Sequence, residues 1–431
     1  MNLTMAEKIL ACASGRSEVR PDQVVVANVD LAMSHENADL VRKSFLEIGA
    51  ARVWDPGKIV IVFDHRVPAE SERTAATHKA VREFVAAQGI AHFYDVGRGG
   101  ICHQVLAENG HVRPGMVVVG TDSHTTTHGA FGAFGVGIGA TEMAGVWTEG
   151  TLWFKVPSTI RVEVSGELGP WISAKDLILY LIGMLGAAGA DYRAVEFDGA
   201  AIRGMTVASR MVLANLSMEM GAKAAFTPVD QVLLQYLRAR TAGKIERLGP
   251  DPGASYELVV DLDASRDLAE PQVACPHAVD NVKPVSALAG IPVDQAVLGS
   301  CTNGRLEDLA IAAQVVAGRV VHPHTRLIVV PASQRIYAEA MRLGYLEALV
   351  AAGAIIDPPG CGPCVGVHQG ILAAGETCIS STNRNFVGRM GSKDSLVYLA
   401  SPAVVAASAI AGRIVHPAAV AKESEVCLTE A

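Results

Sequence analysis

Short runs of β-branched and other apolar residues recur along the chain, each closed by turn residues: Val24-Val25-Val26, Ile59-Val60-Ile61-Val62-Phe63, Val117-Val118-Val119, Leu258-Val259-Val260 and Leu327-Ile328-Val329-Val330. Amphipathic segments separate them. Strand signals that alternate with helical ones predict an α/β chain with largely parallel sheets, because parallel neighbours are joined through crossovers that helices fill. The apolar run from Leu177 to Ala190, bounded by Asp176 and Asp191, is too short to span a bilayer and predicts a buried helix. The Ala-rich stretch from Ser401 to Ala411 predicts another packed helix. Composition breaks at Val156-Pro157-Ser158 and at Asn281-Val282-Lys283-Pro284-Val285 divide the chain into three expected α/β domains, 1–156, 157–283 and 284–431.

With 431 residues, 50% hydrophobic and 19% charged, each of these domains can bury a core. The net charge of −8 and the lack of a basic stripe argue against nucleic-acid and membrane partners. The N-terminal Met1 to Leu10 has no charged segment followed by an apolar core, so a cytoplasmic protein without a secretory signal is expected. Eight cysteines are too sparse for a disulfide scaffold; in a reducing compartment, clustered ones are expected to be ligands.

Three cysteines sit in glycine-rich turns: Cys301 in Gly299-Ser300-Cys301-Thr302-Asn303-Gly304-Arg305, and Cys361 and Cys364 in Pro359-Gly360-Cys361-Gly362-Pro363-Cys364. Cys301 falls between a strand-like run and a helical apolar face (Leu306, Leu309, Ala310, Ala313, Val316), where a helix N-terminus favours a thiolate. Three thiolates suggest an iron–sulfur cluster with one iron left open to act as a Lewis acid. The same residues with His368 would also make a zinc site, and spacing alone leaves both readings open. Asp64-His65 and Asp122-Ser123-His124 each follow a strand-like run, where ligands bind in parallel sheets. A carboxylate beside an imidazole suits a proton donor, although Asp-Ser-His also makes an ordinary turn. The Gly129–Gly139 segment misses the dinucleotide fingerprint. Arg384 and Arg389 would hold a carboxylate bidentately or else be solvated, and Glu219, alone among apolar neighbours, reads by itself as an exposed helix residue.

Together, Asp122-Ser123-His124-Thr125, the Cys301 motif, the Cys361/Cys364 motif and Asn383-Arg384-Asn385-Phe386-Val387-Gly388-Arg389 resemble the aconitase superfamily, in that family's order, from Phe63 to at least Gly391. Gly99-Gly100-Ile101-Cys102-His103 resembles another of its segments. In length the chain is similar to large subunits of the isopropylmalate dehydratase and homoaconitase type, which lack the swivelling fourth domain. The resemblance implies an α/β three-domain large subunit with largely parallel sheets around one [4Fe-4S] cluster per chain, ligated by Cys301, Cys361 and Cys364. It implies a hydro-lyase acting on a small hydroxylated di- or tricarboxylate and needing a separate small subunit that carries the swivelling domain and the serine base. His65, paired with Asp64, would protonate the departing hydroxyl; Asp122, His103, His124 and Glu219 would organise it; Ser123, Asn383, Arg384 and Arg389 would hold substrate or cluster. Isopropylmalate is the leading expected substrate, with homocitrate-, methylmalate- and dimethylmalate-type acids as alternatives, and an iron-responsive RNA-binding role as the alternative of another class. Relatives commonly carry an Asp-x-Thr element after the first strand, whereas this chain has Met33-Ser34-His35-Glu36-Asn37-Ala38-Asp39, to which no role is assigned.

Overall fold

The computed structural model describes residues 2–421; Cys427 lies outside them. Four sheets form among the described residues. The first has five strands in the order His92–Tyr94, Ile59–Val62, Leu31–Ser34, Val117–Gly120 and Phe134–Gly137, all parallel. Ile59–Val62 and Val117–Gly120 are buried at every position. Successive side chains of a strand point to opposite faces. Ile59, Ile61, Val117 and Val119 accordingly pack with Phe45, Phe84 and Trp147 in one core, while Val60, Val62 and Val118 pack with Val105, Leu106 and Phe131 in another.

The second sheet is also parallel, in the order Ala224–Phe226, Ala194–Asp198, Thr159–Ser165 and Leu258–Asp263. Its last strand is an edge, and Leu258 and Val259 stay exposed. The third sheet runs Val282–Pro284, Gln272–Ala274, Leu396–Leu399, Thr377–Ser380, Gln295–Gly299, Arg326–Val330 and Ile355–Ile356. Its first two pairings are antiparallel and the rest parallel. Val24–Asn28 joins none of these; it pairs antiparallel with Thr151–Lys155 as a ribbon that buries alternate residues.

The apolar run after Asp176 forms the helix Ala174–Leu185, capped by Ser173, whose hydroxyl donates to Asp176 Oδ2 at 2.8 Å while its oxygen accepts from Lys175 N. Pro402–Ala411 is a helix buried from Pro402 to Ala409. No helix among the described residues is long and apolar enough to cross a membrane.

The carboxyl ends of the first and third sheets face a shared cavity. Backbone links hold them together: Cys361 N donates to Asp64 O, Ile101 N to Ala332 O and Gln334 N to Gly99 O, each at 2.8 Å.

Candidate active site

Asp64, His65, Asp122, Cys301 and Asn383 lie just past the ends of parallel strands, where the backbone leaves the ladder and its polar groups become free to bind. Ile59–Val62 leads into Asp64 and His65, Val117–Gly120 into Asp122, Gln295–Gly299 into Cys301, and Thr377–Ser380 into Asn383. Gly299 (φ +143°) brings its backbone against Val330, where a Cβ would stand 2.2 Å from the carbonyl oxygen. Ser300 follows with φ 70°, a left-handed geometry that costs a non-glycine residue about 1–3 kcal/mol. The short helix Ser300–Asn303 then presents Cys301 to the cavity, and the longer helix Leu306–Val316 carries the apolar face expected of it.

Cys301, Cys361 and Cys364 are buried and line one cavity with Asp64, His65, Cys102, His103, Asp122, His124, Asn383 and Arg389. Asn383 Oδ1 lies 3.7 Å from Cys301 Sγ and 3.6 Å from Cys364 Sγ, while Asn215 Nδ2 approaches Cys301 Sγ at 3.2 Å. Burial by itself would raise the Cys364 thiol, but the Arg389 guanidinium, the Ser300 hydroxyl and His124 carry it below its ordinary value. Burial pushes Cys361 well up, and Asp64 adds to this against the opposing pull of His65. The Arg389 Nε is buried without a hydrogen-bond partner.

Across the cavity stands a network of imidazoles and carboxylates. His65 Nδ1 is 2.6 Å from Asp64 Oδ1, and its Nε2 is 3.6 Å from Asp122 Oδ2. Burial works against the imidazolium of His65, yet Cys361 and Asp64 raise its pKa well above the usual histidine value. Asp122 meets His103 Nε2 at 2.9 Å and accepts from the backbone N–H of His124 at 2.8 Å. Burial opposes its charge, but its hydrogen bonds to His103 and His124 hold the carboxyl well below the ordinary range. His124 Nε2 lies 2.7 Å from Glu219 Oε1, and Arg384 Nε donates to both Glu219 oxygens at 2.8 and 3.0 Å. Burial would lower His124, but Asp122 and Glu219 lift it to about 10.

Glu219 is therefore no exposed helix residue. It is buried in the 3-10 turn Ser217–Met220, between an imidazole and a guanidinium. Ser123 is separated from the cavity and lines another hollow with Tyr192 and Lys223. Arg384 is engaged by Glu219 and does not line the cavity, whereas Arg389 does. His368 also lies outside it, with Nε2 3.3 Å from Pro68 O.

Several residues enter without having been singled out. Glu36 accepts from the backbone N–H groups of His65 (2.9 Å) and Arg66 (3.0 Å). Burial opposes its charge, but His35 and His65 lower it to about 2. His35 stacks on His65 with ring centroids 4.1 Å apart. Cys102 donates its N–H to Asp64 Oδ2 at 2.8 Å; burial, then the Asp64 and Asp122 carboxylates, keep its thiol protonated, well above the usual range. The unassigned segment Met33–Asp39 was the available signal for His35 and Glu36. Asn215 left none.

Residues 7–290 and 281–412 match the family described as the aconitase family (aconitate hydratase). A 3-isopropylmalate dehydratase large subunit of Methanopyrus kandleri is 54% identical, over 97% of this chain and 99% of that one. A probable methanogen homoaconitase large subunit of Methanothermobacter thermautotrophicus is 51% identical, over 97% and 98%. A solved structure, aconitase X of Thermococcus kodakaraensis, aligns with a TM-score of 0.48 at 12% identity, covering 89% of this chain and 94% of that one. On half-identity along almost its entire length, and on a family match running from residue 7 to residue 412, this chain belongs to the aconitase family of hydro-lyases.

Proposed function

We propose that the chain is the cluster-bearing large subunit of a cytoplasmic 3-isopropylmalate dehydratase, which shifts a hydroxyl between adjacent carbons of a hydroxylated dicarboxylate by reversible loss and regain of water. The observation that carries this reading is the meeting, in one cavity, of three buried cysteines with a carboxylate–imidazole pair.

The residues present fit a [4Fe-4S] cluster. Cys301, Cys361 and Cys364 supply three soft sulfur donors, and the unpartnered Arg389 Nε and the Asn383 amide face the same space, as an anionic group requires. Cys102 also lines the cavity, where its backbone N–H donates to Asp64 Oδ2, but it lies outside the two glycine-rich turns that carry the three donors. His368 does not line the cavity, so the zinc set is not assembled around these sulfurs. When bound, such a cluster supplies an open iron, a Lewis acid for the substrate hydroxyl.

The chain's own groups then account for the proton donor and for binding. His65, cationic and oriented by Asp64 Oδ1, donates its Nε2 proton to the leaving hydroxyl. Asp122 remains ionised between His65, His103 and His124 and steadies the charge of the donor. Arg389 and Asn383 hold substrate or cluster, while Arg384 is fixed by Glu219 and Ser123 lies outside this cavity. The base that takes the carbon-bound proton is assigned to a separate small subunit carrying the swivelling domain, consistent with relatives named as large subunits. The chain alone is then inactive.

A homoaconitase reading is favoured by the 51% identical methanogen relative. The deciding experiment is anaerobic co-purification with the small subunit, iron and sulfide analysis, and assay of isopropylmalate beside homocitrate. About four irons and four sulfides with isopropylmalate turnover bear out the first reading, and turnover of homocitrate alone selects the second. Zinc without sulfide overturns both.

A further inference from the structure

Against the turn that leads into Asn383 lies a cation that no part of the mechanism uses. Lys175 is fully buried. It occupies the first turn of the helix Ala174–Leu185, the end whose dipole disfavours positive charge. Its neighbour Asp176 is committed elsewhere, accepting from Ser173 and from the N–H of Gln272. Lys175 Nζ donates instead to two carbonyls, Ser381 O at 2.9 Å and Thr382 O at 2.6 Å, and no carboxylate among the described residues lies within ion-pair distance of it. A buried ammonium without a counter-ion is among the costliest groups a fold can hold.

The two carbonyls belong to the residues immediately before Asn383. Ser381 O also accepts from Thr302 Oγ1 at 2.7 Å, and Ser381 Oγ accepts from Gly299 N at 2.9 Å. The ammonium thus sits where the turn carrying Cys301 and the turn carrying Asn383 are joined. Burial lowers its pKa to about 8, and the groups that oppose this are Cys301 first, then Cys364, Asp176 and Asp308.

We propose that Lys175 is a counter-charge of the iron–sulfur cluster: a positioning residue that supplies, from the junction of the Cys301 and Asn383 turns, positive charge that an anionic three-thiolate cluster neutralises in turn. This rests on the cluster reading above. A cube held by three thiolates is a net anion, and fixed positive charge beside it stabilises its more reduced state. Removing that charge makes the cluster easier to oxidise and the open iron easier to lose, whereas in the cluster-free protein the same removal relieves an unpaired cation.

The test uses three variants of the complete two-subunit protein: Lys175→Met, Lys175→Gln, which keeps an N–H donor for the carbonyls, and Lys175→Arg, which keeps donor and charge. Expected are a more negative cluster midpoint potential and roughly tenfold faster iron loss in air for Met and Gln, with Arg near wild type. Cluster-free Gln variant should melt no lower than cluster-free wild type. If Gln matches Arg in potential, Lys175 is only a clamp for the Ser381–Thr382 turn and the proposal is overturned. It is equally overturned if the variants take up no cluster and the cluster-free Gln protein melts below wild type. A wild-type protein that binds no iron and sulfide removes the cluster reading itself, and the counter-charge with it.

Discussion

The two sheets that meet at the cavity bring opposite kinds of chemistry to it. The first sheet contributes groups already matched, most of them to one another: Asp64 to His65, Asp122 to His103, Glu36 to the backbone of His65 and Arg66, and His124 to Glu219 of the turn Ser217–Met220. The third contributes groups that lack matches, thiols shifted in opposite directions and an Arg389 nitrogen without an acceptor, and against its Ser381–Thr382 turn the helix Ala174–Leu185 sets a lysine without a carboxylate. A preorganised acid network can wait for substrate at no reorganisation cost, whereas the cysteine half completes its own bonding only when an anionic group is supplied. The imidazole half should therefore survive cluster loss and the cysteine half should not.

The largest break in that asymmetry is Cys301→Ala. In the two-subunit protein it should abolish iron and sulfide and lower turnover on the order of 10³-fold or more, since Lewis-acid assistance is worth several kcal/mol. Full iron content in that variant would remove Cys301 from the donor set. His65→Ala attacks the other half: turnover should fall about 10²–10⁴-fold, the usual worth of a positioned proton donor, with iron and sulfide retained. Near wild-type turnover would exclude His65 as the donor.

Glu219→Gln should reduce turnover about 10–100-fold, as loss of an orienting partner does, and should also change the pH dependence of melting. His124 is raised from 6.5 to about 10, so its contribution is fully present below pH 6.5 and is lost as pH climbs through 10. Wild type should weaken over that window in a urea titration, and the variant, having lost one of the partners that raise His124, should weaken less. Identical slopes would uncouple Glu219 from the imidazole. Smallest of all is Cys12→Ser: exposed and outside the cavity, it should leave iron content unchanged and stability within about 0.5 kcal/mol.

The apolar runs were readable as strands because burial on a sheet selects Val and Ile, and Cys301 was readable at a strand-to-helix turn for the same reason. Which face each strand would bury was not. Val24 and Val26 look like core yet lie exposed on a two-stranded ribbon, and Leu258 and Val259 sit on an edge, because neighbours distant in the chain decide burial. Glu219 illustrates the same limit within the site. Its flanking residues are apolar, and the groups that claim it, His124 and Arg384, stand 95 and 165 positions away. Glu36 eluded a local reading because its partners are main-chain N–H groups of His65 and Arg66, which have no residue-type signature.

The strand order of the third sheet also sets a timetable. The first sheet uses residues 31 to 137 and can close while the ribosome is still elongating. The third must wait for Leu396–Leu399, the strand inserted between Gln272–Ala274 and Thr377–Ser380. In that order the carboxylate–imidazole pairs of the first sheet can form before the turns that carry Cys301 and Asn383 are held side by side in a completed third sheet, which requires Leu396–Leu399 to have emerged.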